Sequence, residues 1–124
     1  MTPDSVSMMS SDDEGIFGWY TINLLLPVQK EGTIATIDMG GASVQVSYEL
    51  DEQDAKLVPS EYQHSIRGND RNINLFSHSY LSLGHLAARH GIFKMEAGDS
   101  NATEFTSECV HPNVYRKIWL YANT

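Results

Sequence analysis

The chain of 124 residues has 41% hydrophobic and 10% aromatic residues, a composition that is typical of globular proteins and excludes intrinsic disorder of the whole chain. Its formal net charge of −8 argues against electrostatic binding of nucleic acid, which normally requires a basic patch. No stretch approaches the about 20 apolar residues of a membrane span, and no basic segment followed by an apolar run opens the chain. We therefore expect no membrane span and no signal sequence in this chain.

Residues 1–11 are rich in Ser, Asp and Met, and we expect a disordered tail there. An apolar run follows Asp12, Asp13 and Glu14, and it is hydrophobic on nearly all sides of a helix, which predicts a buried helix. The acidic residues suit the positive end of the helix dipole, and Pro27 is expected to end the helix. The helix dipole alone could account for Glu14, which would then be a favourable charge at the helix start without a catalytic role.

Residues 33–48 predict a β-hairpin, because a β-branched run and an alternating run flank the turn G-G-A-S at residues 40–43. Gly40 and Gly41 lack a Cβ, so their backbone can take φ > 0 and turn N–H groups toward an anion. Ser43 adds a hydroxyl donor, and Asp38 at the strand end could hold a hydrated divalent cation. The segment predicts a metal-phosphate site, with an ordinary hairpin turn as the alternative.

The remainder predicts a charged turn at residues 51–56, a loop at residues 68–72 and a third strand at residues 73–80. A short helix is expected at residues 83–90, closed by Gly91, and residues 94–109 resemble a loop. Residues 114–121 are expected to form a final strand or short helix, whose aromatic residues Tyr115, Trp119 and Tyr121 belong to the core. The chain is therefore expected to be an α/β protein with a β-β-β-α unit.

Two motifs of the sequence resemble conserved regions of a known protein family. The pattern E-G-x-x-G-W-x-x-x-N-x-L at residues 14–25 resembles the third conserved region of the apyrases, the ecto-nucleoside triphosphate diphosphohydrolases. The pattern D-x-G-G-A-S-x-Q at residues 38–45 resembles the fourth. The stretch F-S-H-S-Y-L-S-L-G at residues 76–84 is similar to the family's Y-S-H-S-F-L-x-Y-G, and E-C-V-H-P at residues 108–112 is similar to its P-C-x-P, without the first proline. The resemblance covers residues 12–115.

The resemblance implies a ribonuclease H-like fold of the actin and hexokinase type, in which two lobes enclose a cleft. It also implies that this chain is incomplete. Residues 12–31 match a helix at the end of the first lobe, and residues 32–124 match part of the second lobe with its hairpin. Only 13 residues precede Glu14, so the family's first two conserved regions are not expected here, and its fifth would lie beyond Thr124.

The resemblance further implies roles for individual residues. Glu14 matches the catalytic base that activates the attacking water, and Gln45 matches a residue near that water. Asp38 matches a carboxylate that helps to hold Ca²⁺ or Mg²⁺, usually through water. The phosphate-binding loop corresponds to Gly40, Gly41, Ala42, Ser43, Val44 and Gln45. The implied reaction is hydrolysis of the terminal phosphate of nucleoside di- and triphosphates.

Location and covalent modification also follow from the resemblance. Full-length relatives are expected in the Golgi, the endoplasmic reticulum or at the cell surface. Asn101 begins a glycosylation sequon and could carry a glycan in that compartment. Cys109, the single cysteine, matches a disulfide cysteine whose partner is expected outside this chain.

Two alternatives stay open. One is an exopolyphosphatase-like hydrolase, which also has a glycine-rich turn after an aspartate but predicts G-G-G-S followed by Glu. The sequence has Val44 and Gln45 after G-G-A-S, which favours the apyrase hypothesis. The other is a truncated, catalytically inactive fragment that at best binds partner chains, and the isolated chain is expected to be weakly active or inactive.

Overall fold

The structure, a computed structural model, describes residues 7–26, 32–68, 71–98, 102 and 104–121. Within these ranges the chain forms two α-helices and a four-stranded sheet, an α/β arrangement. The helices are α1 (Ser11–Leu25) and α2 (His85–Ala97), and the strands are β1 (Thr36–Met39), β2 (Ser43–Glu49), β3 (Gln63–Arg67) and β4 (Asn72–Leu81). Two short 3₁₀ turns, Asp54–Lys56 and Ser60–Tyr62, lead from β2 to β3.

The sheet has the order β1-β2-β4-β3, and all neighbouring strands are antiparallel. The predicted hairpin is confirmed as β1 and β2, and the predicted third strand is confirmed as β4. In this register Asp38 lies opposite Gln45, and Gln45 lies opposite Ser79. Cross-strand neighbours share one face of a sheet, so these three residues form a polar row across three strands.

Helix α1 begins where the acidic residues predict, because the Ser10 side chain accepts a hydrogen bond from the Asp13 N–H and caps the first turn. Its last helical residue is Leu25, and Pro27 lies outside the described residues. The expected all-round burial of this helix is wrong. Only Gly15 and Trp19 are buried, and apolar residues on the other side, such as Phe17 and Leu24, are exposed. The sheet covers one side of α1, and no other described element covers the opposite side.

Small polar residues fill the contact between α1 and the sheet. A Cβ on Gly15 would lie 2.8 Å from the Ser77 Oγ and 3.0 Å from the Ser47 Oγ. These two buried hydroxyls are hydrogen-bonded to each other at 2.8 Å. Because Gly15 has no side chain, α1 can pack closely against these two serines of the sheet. Asn23 secures the other end of the helix, because its side-chain amide donates to the Ile34 carbonyl and accepts from the Ile34 N–H.

Strand β3 and the end of helix α2 also differ from what the sequence predicts. Strand β3 follows the charged turn and was not predicted, since its sequence QHSIR has a single strongly apolar residue. Helix α2 continues through Gly91 and ends before Gly98, whose φ of 68° is the left-handed cap that was expected at Gly91. A glycine inside a helix costs only about 1 kcal/mol relative to alanine, too little to end one that is otherwise stable.

The C-terminal segment also differs from its prediction. Residues 114–121 form neither a strand nor a helix, although one or the other was expected. Tyr115 is 75% exposed and is not a core residue. Trp119 is partly buried, and its ring lies under the Arg89 guanidinium and beside the Phe93 ring. The segment is thus held on α2 by aromatic side chains rather than by a strand ladder.

Candidate functional site

A groove of about 260 Å³ lies between α1 and the β1-β2 hairpin. It is lined by residues of α1, β1 and β2, namely Gly15, Gly18, Ile22, Thr36, Ile37, Asp38 and Gln45. The groove therefore brings together residues of the two motifs that are separated in the sequence. Of the polar row, Asp38 and Gln45 line the groove and Ser79 does not. The other predicted site residues, Glu14, Gly40, Gly41, Ala42, Ser43 and Val44, are not among its lining residues.

The Gln45 side chain connects the two motifs directly. It is 2% exposed, and its Nε2 lies 3.0 Å from the Glu14 Oε2, 2.8 Å from the Ser43 Oγ and 3.0 Å from the Ser79 Oγ. An amide nitrogen has two hydrogens, so these three oxygens share two donors. Gln45 therefore holds the Glu14 carboxylate at a fixed distance from the hairpin.

Glu14 reaches Gln45 because the next residue is glycine. The Cβ that Gly15 lacks would also lie 3.2 Å from the Gln45 Cβ, so a larger residue would push the first turn of α1 away from β2. Glu14 itself is exposed on this turn, with one carboxylate oxygen on Gln45. The side chain is thus held by one contact and is otherwise open to solvent.

The turn from β1 to β2 comprises Gly40, Gly41 and Ala42, and the Gly40 N–H donates to the Ser43 carbonyl at 3.0 Å. The expectation of positive φ at Gly40 and Gly41 is wrong, since the described glycines with positive φ are Gly32 and Gly98. A Cβ on Gly41 would lie 3.1 Å from the Leu86 Cδ1, so the end of that side chain would have to shift by a few tenths of an ångström. Within the described part of the chain, the N–H groups of Gly41 and Ala42 have no acceptor. They are free to receive an anion.

Two other predicted residues lie on either side of this turn. Asp38 is exposed in β1, two residues before Gly40. Val44 lies within β2 between Met39 and Tyr80, so its backbone belongs to the sheet ladder rather than to the turn. The predicted residues from Asp38 to Gln45 are therefore contiguous around one turn, and Val44 is the one whose surroundings are those of an ordinary strand residue.

The donor set limits how a metal could be held. Among the described residues no group of three or more His, Cys, Asp or Glu side chains could surround an ion. Asp38 provides exposed carboxylate oxygens, which hard cations such as Mg²⁺ and Ca²⁺ prefer, and Mg²⁺ commonly retains most of its waters beside one or two carboxylates and a phosphate. The residues present therefore fit a hydrated ion that is shared with a phosphate, and do not fit a closed protein cage.

Two groups that contact the predicted site residues were not predicted from the sequence. Ser79 lies in β4 and contacts Gln45, and the signal for it was the polar alternation of that strand. The start of α2, from Gly84 onward, packs on the glycine turn, and its signal was the G that ends the F-S-H-S-Y-L-S-L-G stretch.

A comparison with protein-family models decides the relationship of this chain to known proteins. The model of the GDA1/CD39 (nucleoside phosphatase) family matches residues 1–122. The chain belongs to the GDA1/CD39 family. The resemblance to apyrases that the two motifs indicated is thereby confirmed.

Curated relatives agree with this assignment. The chain is 33% identical to the human nucleoside diphosphate phosphatase ENTPD5 over 94% of its own length and 28% of that protein. It is 38% identical to the apyrase of Solanum tuberosum over 77% of its length and 23% of that protein. It is 28% identical to the nucleoside-diphosphatase uda-1 of Caenorhabditis elegans over 97% of its length and 28% of that protein. This GDA1/CD39 chain thus spans less than a third of these relatives.

The features that bear on location and modification remain predictions. Within the described ranges no helix is both long and apolar enough to cross a membrane. Asn101, the expected glycan acceptor, lies outside the described residues. Cys109 is an exposed free thiol, and the negative charge of the nearby Glu96 carboxylate raises the pKa of that thiol. A raised pKa leaves less thiolate at neutral pH, which makes the thiol less reactive.

Proposed function

We propose that this chain provides the catalytic-base half of a nucleoside phosphatase site, which hydrolyses the terminal phosphate of nucleoside di- and triphosphates. The observation that supports this most directly is the hydrogen bond from Gln45 to Glu14. It joins the acidic start of α1 to the hairpin whose Gly41 and Ala42 N–H groups are free. A carboxylate that is hydrogen-bonded to the same hairpin as the unpaired backbone donors suits hydrolysis of a phosphoanhydride.

In the proposed reaction a water molecule attacks the terminal phosphorus, and Glu14 accepts a proton from it. A new P–O bond forms from the water oxygen while the bond to the bridging oxygen breaks, so inorganic phosphate and the shortened nucleotide are released. A positioned general base is worth a factor of about 10² to 10⁴ in rate. Gln45 keeps the Glu14 carboxylate oriented by its amide N–H.

The negative charge of the phosphoryl oxygens has to be balanced in a chain with a net charge of −8. The N–H groups of Gly41 and Ala42 and the Ser43 hydroxyl are the proposed donors, since preorganised dipoles stabilise developing charge efficiently. Asp38 is the proposed anchor for a hydrated Ca²⁺ or Mg²⁺ ion, which would neutralise phosphate charge when bound. Val44 follows the loop as a residue of β2, so we propose that it holds the end of the loop in the sheet and does not donate to phosphate.

We propose further that the described sheet is the start of the second lobe of a ribonuclease H-like fold, with α1 as the end of the first. Support comes from the antiparallel hairpin with a third strand beside it, followed by a helix. The preference for a particular nucleobase, and for di- or triphosphate, would be determined by residues in the parts of the longer relatives that this chain does not cover.

A second hypothesis is that this chain binds nucleotide phosphate or a partner chain without catalysing turnover. It is favoured by the exposure of Glu14 and of apolar side chains on the outer side of α1, including Phe17 and Leu24. An exposed base is surrounded by bulk water, which weakens electrostatic catalysis compared with a closed cleft. The exposed helix face is one that another protein surface would stabilise.

The experiment is phosphate release from ADP, UDP, GDP and ATP by the purified chain with Ca²⁺ or Mg²⁺. The Glu14→Gln variant removes the base but keeps the side-chain shape, and Glu61→Gln, an exposed carboxylate in the 3₁₀ turn before β3, is the matched control. The proposal requires metal-dependent release that Glu14→Gln lowers by about 10²-fold or more and Glu61→Gln leaves unchanged.

Equilibrium binding separates the two hypotheses if release is undetectable. Binding of ADP by the wild-type chain and by Glu14→Gln with equal affinity would support the non-catalytic hypothesis. Release that Glu14→Gln leaves unchanged would show that Glu14 is not the base.

A further inference from the structure

The glycine turn is held by the segment that follows β4. Residues 82–87, here called the 82–87 turn, include the first turn of α2 and donate to the carbonyls of three consecutive residues. The Gly40 carbonyl accepts from the His85 N–H at 3.0 Å, and the Gly41 carbonyl accepts from the Leu86 and Ala87 N–H groups, each at 3.0 Å. The Ala42 carbonyl accepts from the Ser82 and Gly84 N–H groups at 2.8 and 3.2 Å.

Fixing these carbonyls also fixes the neighbouring N–H groups. In a trans peptide the C=O and the following N–H lie in one plane and point in opposite directions. Because the carbonyls of Gly40, Gly41 and Ala42 point at the 82–87 turn, the N–H groups of Gly41, Ala42 and Ser43 point away from it. Three consecutive N–H groups are thus turned to the same side of the loop, although none of the glycines there uses a positive φ.

The contact between the two segments is made by backbone against backbone. A Cβ on Gly84 would lie 2.5 Å from the carbonyl carbons of Gly41 and Ala42 and 2.5 Å from the Ser43 nitrogen. Backbone atoms cannot rotate out of the way, so any side chain at residue 84 has to push the turn from the loop. Gly84 is buried, and Ser82 before it has a φ of 70°, which turns the chain sharply into α2.

His85 adds a side-chain contact to the same carbonyl that its own N–H binds. Its Nδ1 lies 2.9 Å from the Gly40 oxygen. The N-cap of α2 makes no side-chain hydrogen bond, so the loop carbonyls take the place of a capping side chain. The helix start and the glycine turn therefore satisfy each other, and the unpaired N–H groups are left on the loop rather than on the helix.

We infer that the 82–87 turn is a positioning element that presents the Gly41, Ala42 and Ser43 N–H groups together to a phosphate anion, with Gly84 and His85 as its positioning residues. The inference rests on the proposed function, since it states how the loop becomes a phosphate site. It does not place either residue in contact with the substrate.

The first test is a titration of the full chain with inorganic phosphate, followed by the amide ¹H and ¹⁵N shifts of Gly41, Ala42 and Ser43. His85→Ala removes the Nδ1 donor, and His85→Asn restores a donor at the equivalent distance from the backbone. The expected result is a phosphate affinity that His85→Ala weakens about two- to tenfold, the effect of one net hydrogen bond, and that His85→Asn restores. Equal affinity in His85→Ala and wild type would overturn the role of His85.

Gly84→Ala tests the backbone contact, and Gly91→Ala is its control. Both glycines lie at or in α2, but a Cβ on Gly91 would meet no atom within 4 Å. We expect Gly84→Ala to lose the phosphate-induced shifts at Gly41 and Ala42, and Gly91→Ala to retain them with wild-type affinity. Retention of those shifts in folded Gly84→Ala would overturn the inference, and if that variant does not fold, the His85 pair decides.

Amide hydrogen exchange without phosphate separates this inference from the proposed function. The inference requires slow exchange at His85, Leu86 and Ala87 beside fast exchange at Gly41 and Ala42. If this exchange pattern is found but phosphate does not shift the amide resonances of Gly41, Ala42 and Ser43, the loop is not a phosphate site. The hydrogen bonds by which the 82–87 turn holds the loop would still be supported. Slow exchange at Gly41 and Ala42 would refute the inference whatever phosphate does.

Discussion

Replacing Gly15 by alanine tests the contact that brings Glu14 to the hairpin. The added methyl group would lie 2.8 Å from the Ser77 Oγ, 3.0 Å from the Ser47 Oγ and 3.2 Å from the Gln45 Cβ. Rotating either hydroxyl away would break the buried hydrogen bond between the two serines. The alternative is that the first turns of α1 move outward, which lengthens the 3.0 Å contact between Gln45 and Glu14.

The magnitude follows from opposing contributions. Overpacking a filled contact costs about 1 to 3 kcal/mol, and a disturbed buried hydrogen bond adds about 0.5 to 1.5 kcal/mol. Alanine is a better helix former than glycine by about 1 kcal/mol, which offsets part of the cost. We therefore expect Gly15→Ala to lower the free energy of unfolding by about 2 kcal/mol, which for a domain of this size lowers Tm by about 8 °C.

The assay is urea unfolding followed by tryptophan fluorescence, because Trp19 lies on α1 and is 2% exposed. Gly18→Ala is the matched control, since it lies one turn later in the same helix and a Cβ there meets nothing within 4 Å. It should stabilise the chain by up to about 1 kcal/mol through helix propensity. Equal stabilities of Gly15→Ala and Gly18→Ala would refute the close approach of α1 to the sheet.

Three further outcomes follow from other contacts. Leu75→Ala removes a core side chain that is 0% exposed and should cost about 2 to 5 kcal/mol in urea unfolding, so a cost below about 1 kcal/mol would contradict its burial. Asn23→Ala should cost about 1 to 3 kcal/mol by leaving the Ile34 backbone without partners, and Asn23→Asp, which retains only the acceptor, should fall between this variant and the wild type. The Arg71 guanidinium, by its hydrogen bond, holds the pKa of the Glu49 carboxyl below its ordinary value of 4.5, so their pair stabilises the fold above that pH and its contribution is lost as the pH falls through the lowered pKa. Arg71→Ala should therefore cost at most about 1 kcal/mol at pH 7, since the pair is partly exposed, and a cost that persists at pH 2 would argue against the pair as its source.

Much of the fold could be predicted where the signals are local. The acidic start of α1, the hairpin and strand β4 each have a turn, cap or alternation within a few residues, and the structure contains all three. Strand β3 has no such signal, because it pairs through its backbone with β4 and four of its five residues are polar. The exposure of α1 also depends on distant contacts, since an apolar helix shows which surfaces could be buried but not which ones a neighbour covers.

The residues of the candidate site could be predicted from the motifs, but their contacts could not. Spacing alone does not reveal that Gln45 donates to Glu14, because that contact depends on how α1 docks on β2. The sequence signal for this contact is Gly15, next to Glu14, because a residue without a side chain lets α1 approach β2 closely. The expected positive φ at Gly40 and Gly41 was wrong for a related reason, because the close contact at this turn is made by Gly84, which follows β4 and packs its backbone against the Gly41 and Ala42 carbonyl carbons.

The hydroxyl-lined contact under α1 has a thermodynamic consequence. Exposing apolar surface on unfolding raises the heat capacity by about 0.45 cal/K/mol/Å², whereas exposing polar surface lowers it by about 0.26. Release of Gly15 from the Ser47 and Ser77 hydroxyls therefore contributes little to the heat capacity of unfolding. Apolar association weakens on cooling. The contact of Gly15 with the two serines is therefore less sensitive to cold than the burial of Trp19 in the same helix, which is 2% exposed.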